Sequence, residues 1–416
     1  MSNTFPRVVV TGFGVVSPLG CTAELFWDNL RSGRSGISKI SSFDASGFST
    51  QIAGEARDFQ IENFMDRKEA KRTDRVIQLG VAAAKMAVEN SALNLDSCDR
   101  ERIGVMIGTG IGGMATWEEQ HSILIEKGPR RISPFFIPMM IPNMPAGQVS
   151  IMLDLRGPSF SVVSACATGG NCIGSAFDAI RLGQADVMLA GGTEAAVTPL
   201  GIGGFCAMRA MSTRNDDPAK ASRPFDTGRD GVVMGEGAGV IVLESLEHAQ
   251  QRGANILCEL LGYACSSDAH HMTNPDPEGK GAARAMKIAL ANCGKQPEDV
   301  DYINAHGTST PVGDPCEIKA MRSVFGEGVA NLAVSSSKSM TGHTLGAAGA
   351  IETIVCTLTL QHQIISPTIN LEELDPECAV DVVPNVARAQ KVDFCLNNTF
   401  GFGGHNVVLG LGRFSS

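Results

Sequence analysis

Residues 159–194 constrain the fold of this chain more than any other stretch. A β-prone run, Ser159–Ser164, reaches Cys166. A small-residue helix pattern follows from Ala167 to about Arg181, then an apolar strand at Asp186–Ala190. The spacing therefore predicts strand, cysteine, helix, strand, with a thiol where a helix begins. The partial positive charge of a helix N-terminus favours thiolate, the nucleophilic form. Ala165, Ala167, Thr168, Gly169 and Gly170 leave room for a substrate to approach. A free cysteine also fits a core as a small hydrophobe, and the other eleven cysteines read that way. Its position makes Cys166 a candidate nucleophile.

The pattern has a second, weaker copy. Ala333–Ser337 (AVSSS) leads to Lys338 and then to a small-residue helix beginning near His343, HTLGAAGAIETIVCTLTLQ. A polar turn, Gln251–Ala254, separates the two, and the element order restarts with a strand at Ile256–Ala264. We read a duplicated unit with halves 1–254 and 255–416 rather than a repeat array. Alternating strands and helices in each half imply α/β layers with mixed sheets.

In the first half Arg7–Thr11 reads as a buried strand and Ala23–Arg31 as a short amphipathic helix. A longer helix pattern over Asp66–Asn90 opens with the basic cluster Arg67, Lys68, Lys71, Arg72 and Arg75. Such a cluster is ordinarily a solvated helix end. The further Arg130, Arg131 and Arg209 raise the alternative of a docking patch for an acidic partner. The strand Arg102–Thr109 ends in GTGIGG, whose glycine spacing is not that of a dinucleotide-binding loop and from which no helix pattern opens directly. Ile111, held among these glycines, reads as a movable apolar plug.

The formal charge of −10 argues against general nucleic-acid binding. Ser133–Leu153 is uncharged, apolar and interrupted by four prolines, so it does not span a bilayer. The twelve cysteines form no CxxC pair, and no signal-peptide pattern precedes Arg7. A reducing, cytoplasmic setting is the expectation, or an organellar matrix or stroma had a transit segment been removed.

Of eight histidines, His121, His248 and His362 sit among polar residues, and His270 and His271 lie in a polar loop. His306 ends the strand Asp301–Ala305 and opens a loop, where functional groups of α/β sheets collect. His343 reads as lying at a helix start, which would keep it neutral. A metal site finds no support in the Cys and His spacing. Lys338 and Glu352 are candidates to pair and orient the histidines. Asn398–Asn406 is a glycine-rich loop between two strands whose N–H groups would suit an oxyanion, although a plain β-turn has the same composition.

Together SACATG, NAHGTSTPVGD, SKSMTGH and NTFGFGGHN resemble the β-ketoacyl-acyl-carrier-protein synthases, and the similarity runs from RVVVTGFGVVSPLG through nearly the whole chain. GTGIGG and the overall length look most like the synthase II branch, which elongates medium and long acyl chains. The resemblance implies a duplicated thiolase-like αβαβα sandwich, a homodimer, and decarboxylative condensation of a cysteine-bound acyl group with malonyl carrier protein. It implies that Cys166 accepts the acyl group, that His306 and His343 stabilise the enolate, and that the N–H groups of Cys166 and Phe402 form an oxyanion hole. It further places Lys338 and Glu352 behind the histidines, Thr308 and Thr310 on the pantetheine arm, and Ile111 and Phe402 at the acyl gate. Lys68, Lys71, Arg72, Arg130, Arg131 and Arg209 fall where acyl carrier protein docks. No cofactor is implied, because phosphopantetheine arrives on the carrier. A thiolase-type acyltransferase would carry a second cysteine in the C-terminal glycine loop, where this chain has FGFGGHN. A non-catalytic carrier-binding, chain-length partner usually lacks the nucleophile.

Overall fold

A computed structural model describes residues 5–415. Nine strands form one mixed sheet: β1 (Val8–Val16), β2 (Ile103–Gly108), β3 (Val187–Glu194), β4 (Gly237–Ser245), β5 (Cys258–Ser267), β6 (Tyr302–Asn304), β7 (Ala333–Ser335), β8 (Phe394–Gly401) and β9 (His405–Gly412). Their order is β2-β3-β4-β1-β5-β9-β8-β6-β7. Within the nine-stranded sheet of the described residues the halves join where Val8, Val9 and Val10 run antiparallel to Leu260, Glu259 and Cys258.

Outward from that joint the two halves repeat the same senses. β1–β4 and β5–β9 are antiparallel, as are β4–β3 and β9–β8. β3–β2 and β8–β6 are parallel. The duplication is therefore written in the hydrogen bonding. The fifth position differs. In the second half β7 pairs parallel to β6, whereas in the first half Ser159 makes one parallel bridge to Val105. The expected strand at Ser159–Ser164 is thus only begun. Phe160 N–H bonds Val105 O, Ser161 reaches Ile107 O with its hydroxyl, and the chain then leaves the sheet for Cys166.

Six helices complete the layers: α1 (Arg75–Asn90), α2 (Met114–Lys127), α3 (Thr168–Arg181), α4 (Lys280–Cys293), α5 (Gly313–Phe325) and α6 (Ala348–His362). α1 covers the outer face of the first half-sheet, and α4 with α5 covers that of the second. Between the half-sheets lie α3 and α6, which makes an αβαβα stack. Every residue of α6 from Ala348 to Leu360 is buried, as expected of a helix without a polar face. The central core mixes both halves, with Ile173 and Phe177 of α3 beside Ile354 and Leu358 of α6. Each such side chain contributes about 1.5–3 kcal/mol on burial. The helices touch at their N-termini, where a Cβ on Gly349 would lie 2.8 Å from Gly170 N.

Three expectations need correction. The helix pattern over Asp66–Asn90 is two helices, because Asp74 caps a new start. Its Oδ1 accepts from Val76 N–H, while Oδ2 accepts from the N–H and hydroxyl of Thr116. A helix does open directly from GTGIGG, since α2 begins at Met114. His343 is not at a helix start: Lys338–Thr341 is a short helix of its own, and α6 begins at Ala348 after a tight turn at Leu345–Ala347.

Candidate active site

The path to Cys166 runs through Ala165, whose φ of 51° is left-handed. A side chain there is strained, and such strain persists only where the surroundings over-determine it. Here Ala167 N–H bonds Ser164 O, and Ser164 N–H bonds Thr168 Oγ1. One tight turn, Ala165–Ala167, then presents the cysteine ahead of α3. The thiol reaches the floor of a cleft of about 430 Å³.

Burial dominates its electrostatics. The Cys166 thiol is pushed up to about 12, against the opposing pull of the Lys338 charge and of the N–H groups of Phe402 and Cys166 itself. Burial therefore opposes ionisation of the thiol and outweighs the pull of Lys338 and of those N–H groups. Those two N–H groups converge on the sulfur. Phe402 is held there by the hairpin tip between β8 and β9, with Gly401 against the cysteine turn: a Cβ on Gly401 would stand 3.2 Å from Cys166 N.

His306 leaves the end of β6, and its N–H and that of Gly307 donate to the Glu317 carboxylate at 2.9 and 2.8 Å. His343 is fixed by its backbone, its N–H donating to Val233 O and its carbonyl accepting from Gly235 N–H. The two rings stand 5.3 Å apart and nearly perpendicular. Burial, then the charge of Lys338, holds both well below the ordinary histidine range. They are neutral for that reason and not because of a helix end. A neutral imidazole keeps one N–H to donate.

Lys338 and Glu352 are an ion pair sealed from solvent, at 1% and 2% side-chain exposure. Burial pushes the Glu352 carboxyl up to about 7, with Lys338 opposing. Neither residue lines the cleft, whereas Cys166, His306, His343, Phe402, Thr308, Thr310 and Arg209 all do. Thr308 and Thr310 sit 3.3 Å apart by their hydroxyls. Phe402 stacks on Phe205. Ile111 does not line this cleft. It is exposed at 37%, in a loop that abuts Ala165.

The basic residues divide. Arg209 stands at the cleft, while Lys68, Lys71, Arg72, Arg130 and Arg131 lie outside its lining. The Arg72 guanidinium covers the Phe135 ring at 4.7 Å, which ties the end of the Arg67–Ala70 helix to the segment after Arg130 and Arg131. Arg75, grouped with them in the sequence, is instead paired bidentately with Glu236. Among the described residues no group of three or more His, Cys, Asp or Glu side chains is placed to hold a metal ion.

Three buried acids went unnoticed in the sequence: Glu317, Asp314 and Glu194. Glu317 also accepts from Asn398 Nδ2, and Asp314 accepts from Phe225 N–H. Glu194 accounts for the glycine loop GTGIGG, because its carboxylate takes the N–H groups of Gly110 and Ile111. An acid ending the apolar strand VMLAGGTE was the available signal.

The model of the beta-ketoacyl synthase N-terminal domain matches residues 6–249, and that of the C-terminal domain matches residues 257–372. The chain is 52% identical over 410 residues to 3-oxoacyl-[acyl-carrier-protein] synthase 2 of Staphylococcus aureus strain COL, covering 99% of each chain. It is 53% identical over 407 residues to the enzyme of the same name from Coxiella burnetii, covering 98% of each. Among solved structures it resembles the ishigamide ketosynthase/chain length factor, with TM-score 0.93 and 37% identity over 99% of this chain and 100% of that one. A type II PKS acyl-carrier protein complex with its ketosynthase, bound to the hexaketide, matches with TM-score 0.91 and 36% identity over 99% and 100%.

Proposed function

The chain belongs to the β-ketoacyl synthase family and is an acyltransferase of the condensing type, and from that premise we propose how its residues divide the reaction. The reaction is the condensation of an acyl group with malonyl carrier protein in fatty-acid chain elongation, giving 3-oxoacyl carrier protein and carbon dioxide. The Cys166 sulfur attacks the acyl thioester. A carbon–sulfur bond forms at Cys166, the carrier's thiol leaves, and the thiol proton goes with it. The N–H groups of Cys166 and Phe402 hold the oxyanion, each such donor being worth about 3 kcal/mol in the transition state.

Malonyl carrier protein then loses carbon dioxide. The electron pair of the broken carbon–carbon bond becomes an enolate, whose oxygen accepts from the neutral N–H groups of His306 and His343. The enolate carbon attacks the acyl carbonyl on Cys166, the new carbon–carbon bond forms as the carbon–sulfur bond breaks, and the sulfur leaves as thiolate and takes a proton from solvent. Lys338, tied to Glu352, supplies a fixed positive charge behind both histidines and the sulfur. Thr308 and Thr310 take the pantetheine arm, and Ile111 and Phe402 gate the acyl chain. The chemistry calls for no organic cofactor and no metal, since departure of carbon dioxide drives it. The observation that carries this reading is the meeting of Cys166, His306 and His343 in one cleft.

The acidic carrier protein docks on Arg209 at the cleft and on the basic residues Lys68, Lys71, Arg72, Arg130 and Arg131 outside it. A second copy of the chain closes the acyl side. The segment Ser159–Ser164 runs at the edge of the sheet with Phe160 and Val163 turned out at 46% and 49% exposure, and Ile111 is also uncovered. No helix of the described residues is long and apolar enough to cross a membrane. From the relationship to the 3-oxoacyl-[acyl-carrier-protein] synthase 2 enzymes we infer a cytoplasmic or equivalent compartment.

Intact mass tests the reading. Long-chain acyl carrier protein is expected to acylate the wild type but not Cys166→Ala, and malonyl carrier protein then clears the adduct as 3-oxoacyl carrier protein. A persistent adduct would favour a chain-length or transfer role. No adduct at all would overturn the mechanism.

A further inference from the structure

Glu194 ends β3, is fully buried, and has no part in the chemistry above. Its hydrogen bonds nevertheless reach two other segments beside the site. Oε2 accepts the N–H of Gly110 at 2.9 Å and the N–H of Gly346 at 3.0 Å. Oε1 accepts the Thr109 hydroxyl at 2.5 Å and the Ile111 N–H at 3.3 Å. One carboxylate thus fastens three segments: its own strand, the loop that carries Ile111, and the turn that follows His343.

The surroundings are built for that carboxylate. A Cβ on Gly346 would lie 2.4 Å from Gly110 N and 2.8 Å from Glu194 Oε2. A Cβ on Gly110 would lie 2.9 Å from the same oxygen and 3.1 Å from Ala165 O. Bare backbone on both sides lets two amides close on one oxygen, and it brings the Ile111 loop against the cysteine turn. Thr109 adds a second tie, since its Oγ1 also accepts from Gly112 N–H at 3.1 Å.

We propose that Glu194 is a positioning residue that holds the Ile111 loop closed against the cysteine turn, and so sets how readily Cys166 accepts long acyl chains over short ones. This rests on the reading that Cys166 is acylated and Ile111 gates the chain. The two oxygens have different work. Glu194→Gln keeps an acceptor between Gly110 and Gly346, where two donors demand one. Its amide then faces Thr109, whose hydroxyl can turn to accept, and it opposes the Ile111 N–H, which cannot. The change therefore releases the gate while sparing the bond to the His343 side.

The test is the ratio of kcat/KM for acylation of Cys166 by hexadecanoyl and by hexanoyl carrier protein. Glu194→Gln is expected to raise that ratio at least about fivefold, mainly through KM, equivalent to about 1 kcal/mol. In an Ile111→Ala background, which raises the ratio by itself, the same change is expected to add less than about twofold. Thr109→Val removes the second tie with little change of shape and is expected to move the ratio the same way, with Thr109→Ser restoring it. Thr109→Val keeps the inference testable should Glu194→Gln fold poorly. A ratio unchanged in both single variants, or a Glu194→Gln effect undiminished without Ile111, overturns the inference. Failure of the wild type to form any acyl adduct overturns the mechanism itself, so the two failures are distinguishable.

Discussion

The two halves of the molecule make the same turn for different ends. Ala165–Ala167 precedes α3 and Leu345–Ala347 precedes α6; each opens on a left-handed residue, Ala165 at φ 51° and Leu345 at φ 48°. The second residue of the first turn is Cys166, whose side chain enters the cleft. The second residue of the other is Gly346, which has no side chain and offers its N–H to Glu194. One copy thus presents a reactive group, while the other has become bare backbone that makes room for it. A duplicated scaffold supplies the strained geometry twice, and chemistry needs only one copy of the thiol.

The largest way to break this comparison is at the thiol. Cys166→Ala is expected to lower condensation at least about 10⁴-fold with the fold retained, as loss of a nucleophile does elsewhere. Activity assays alongside thermal unfolding check both parts. Next is the buried charge that acts on Cys166 and on both histidines. Lys338→Met leaves Glu352 buried without its partner and should cost about 3–5 kcal/mol in denaturant unfolding. Adding Glu352→Gln should recover most of that loss, and failure to recover would mean the pair is not the source.

Gly346→Ala should destabilise by about 3 kcal/mol, because the added carbon meets backbone that cannot yield. Urea midpoints with an unchanged slope would show the effect to be in the folded state. A mild loss would mean that the second turn is not as tightly filled as its twin.

Smaller effects come from pH. Burial raises the Glu194 carboxyl to about 6. Above its ordinary range the unfolded chain ionises first, so ionisation costs stability as pH rises from about 4.5 through 6. The advantage of wild type over Glu194→Gln should therefore shrink by about 2 kcal/mol between pH 4 and pH 7. Glu244, held by Arg252, His248 and Thr11, is lowered to about 2 and has the opposite sign. Its contribution is present above about pH 4.5 and is lost as pH falls towards 2. Unfolding of each Gln variant across pH checks the pair of signs. Smallest is the left-handed position. Ala165→Gly should stabilise by up to about 1 kcal/mol by relieving strain. Leu345→Gly should destabilise instead, since the buried leucine side chain is lost.

Much of the site was legible because its parts are local. The cysteine before a small-residue helix, His306 at a strand end and the SKSMTGH segment stand out without any partner in view. What the sequence hid is long-range. Glu194 meets Gly110 84 residues away and Gly346 152 residues away, and no periodicity announces such bonds. The burial that raises the Cys166 thiol is hidden for a related reason: a helix end is visible in sequence, whereas complete burial is a property of the assembled stack. Boundaries failed where one capping residue outweighed a continuous pattern, as Asp74 does between Arg67–Ala70 and α1.

The half-sheets are sewn together by three residue pairs, at Val8–Val10 and Cys258–Leu260, yet their common interior is filled by one helix from each. Mechanically the seam is narrow, but the filling does not divide along it. A cut at the polar turn Gln251–Ala254 would leave each fragment with half of a core and an apolar helix stripped of its cover. Each half therefore depends on the other for the cover of its central helix, and the seam is held by its filling more than by its strands.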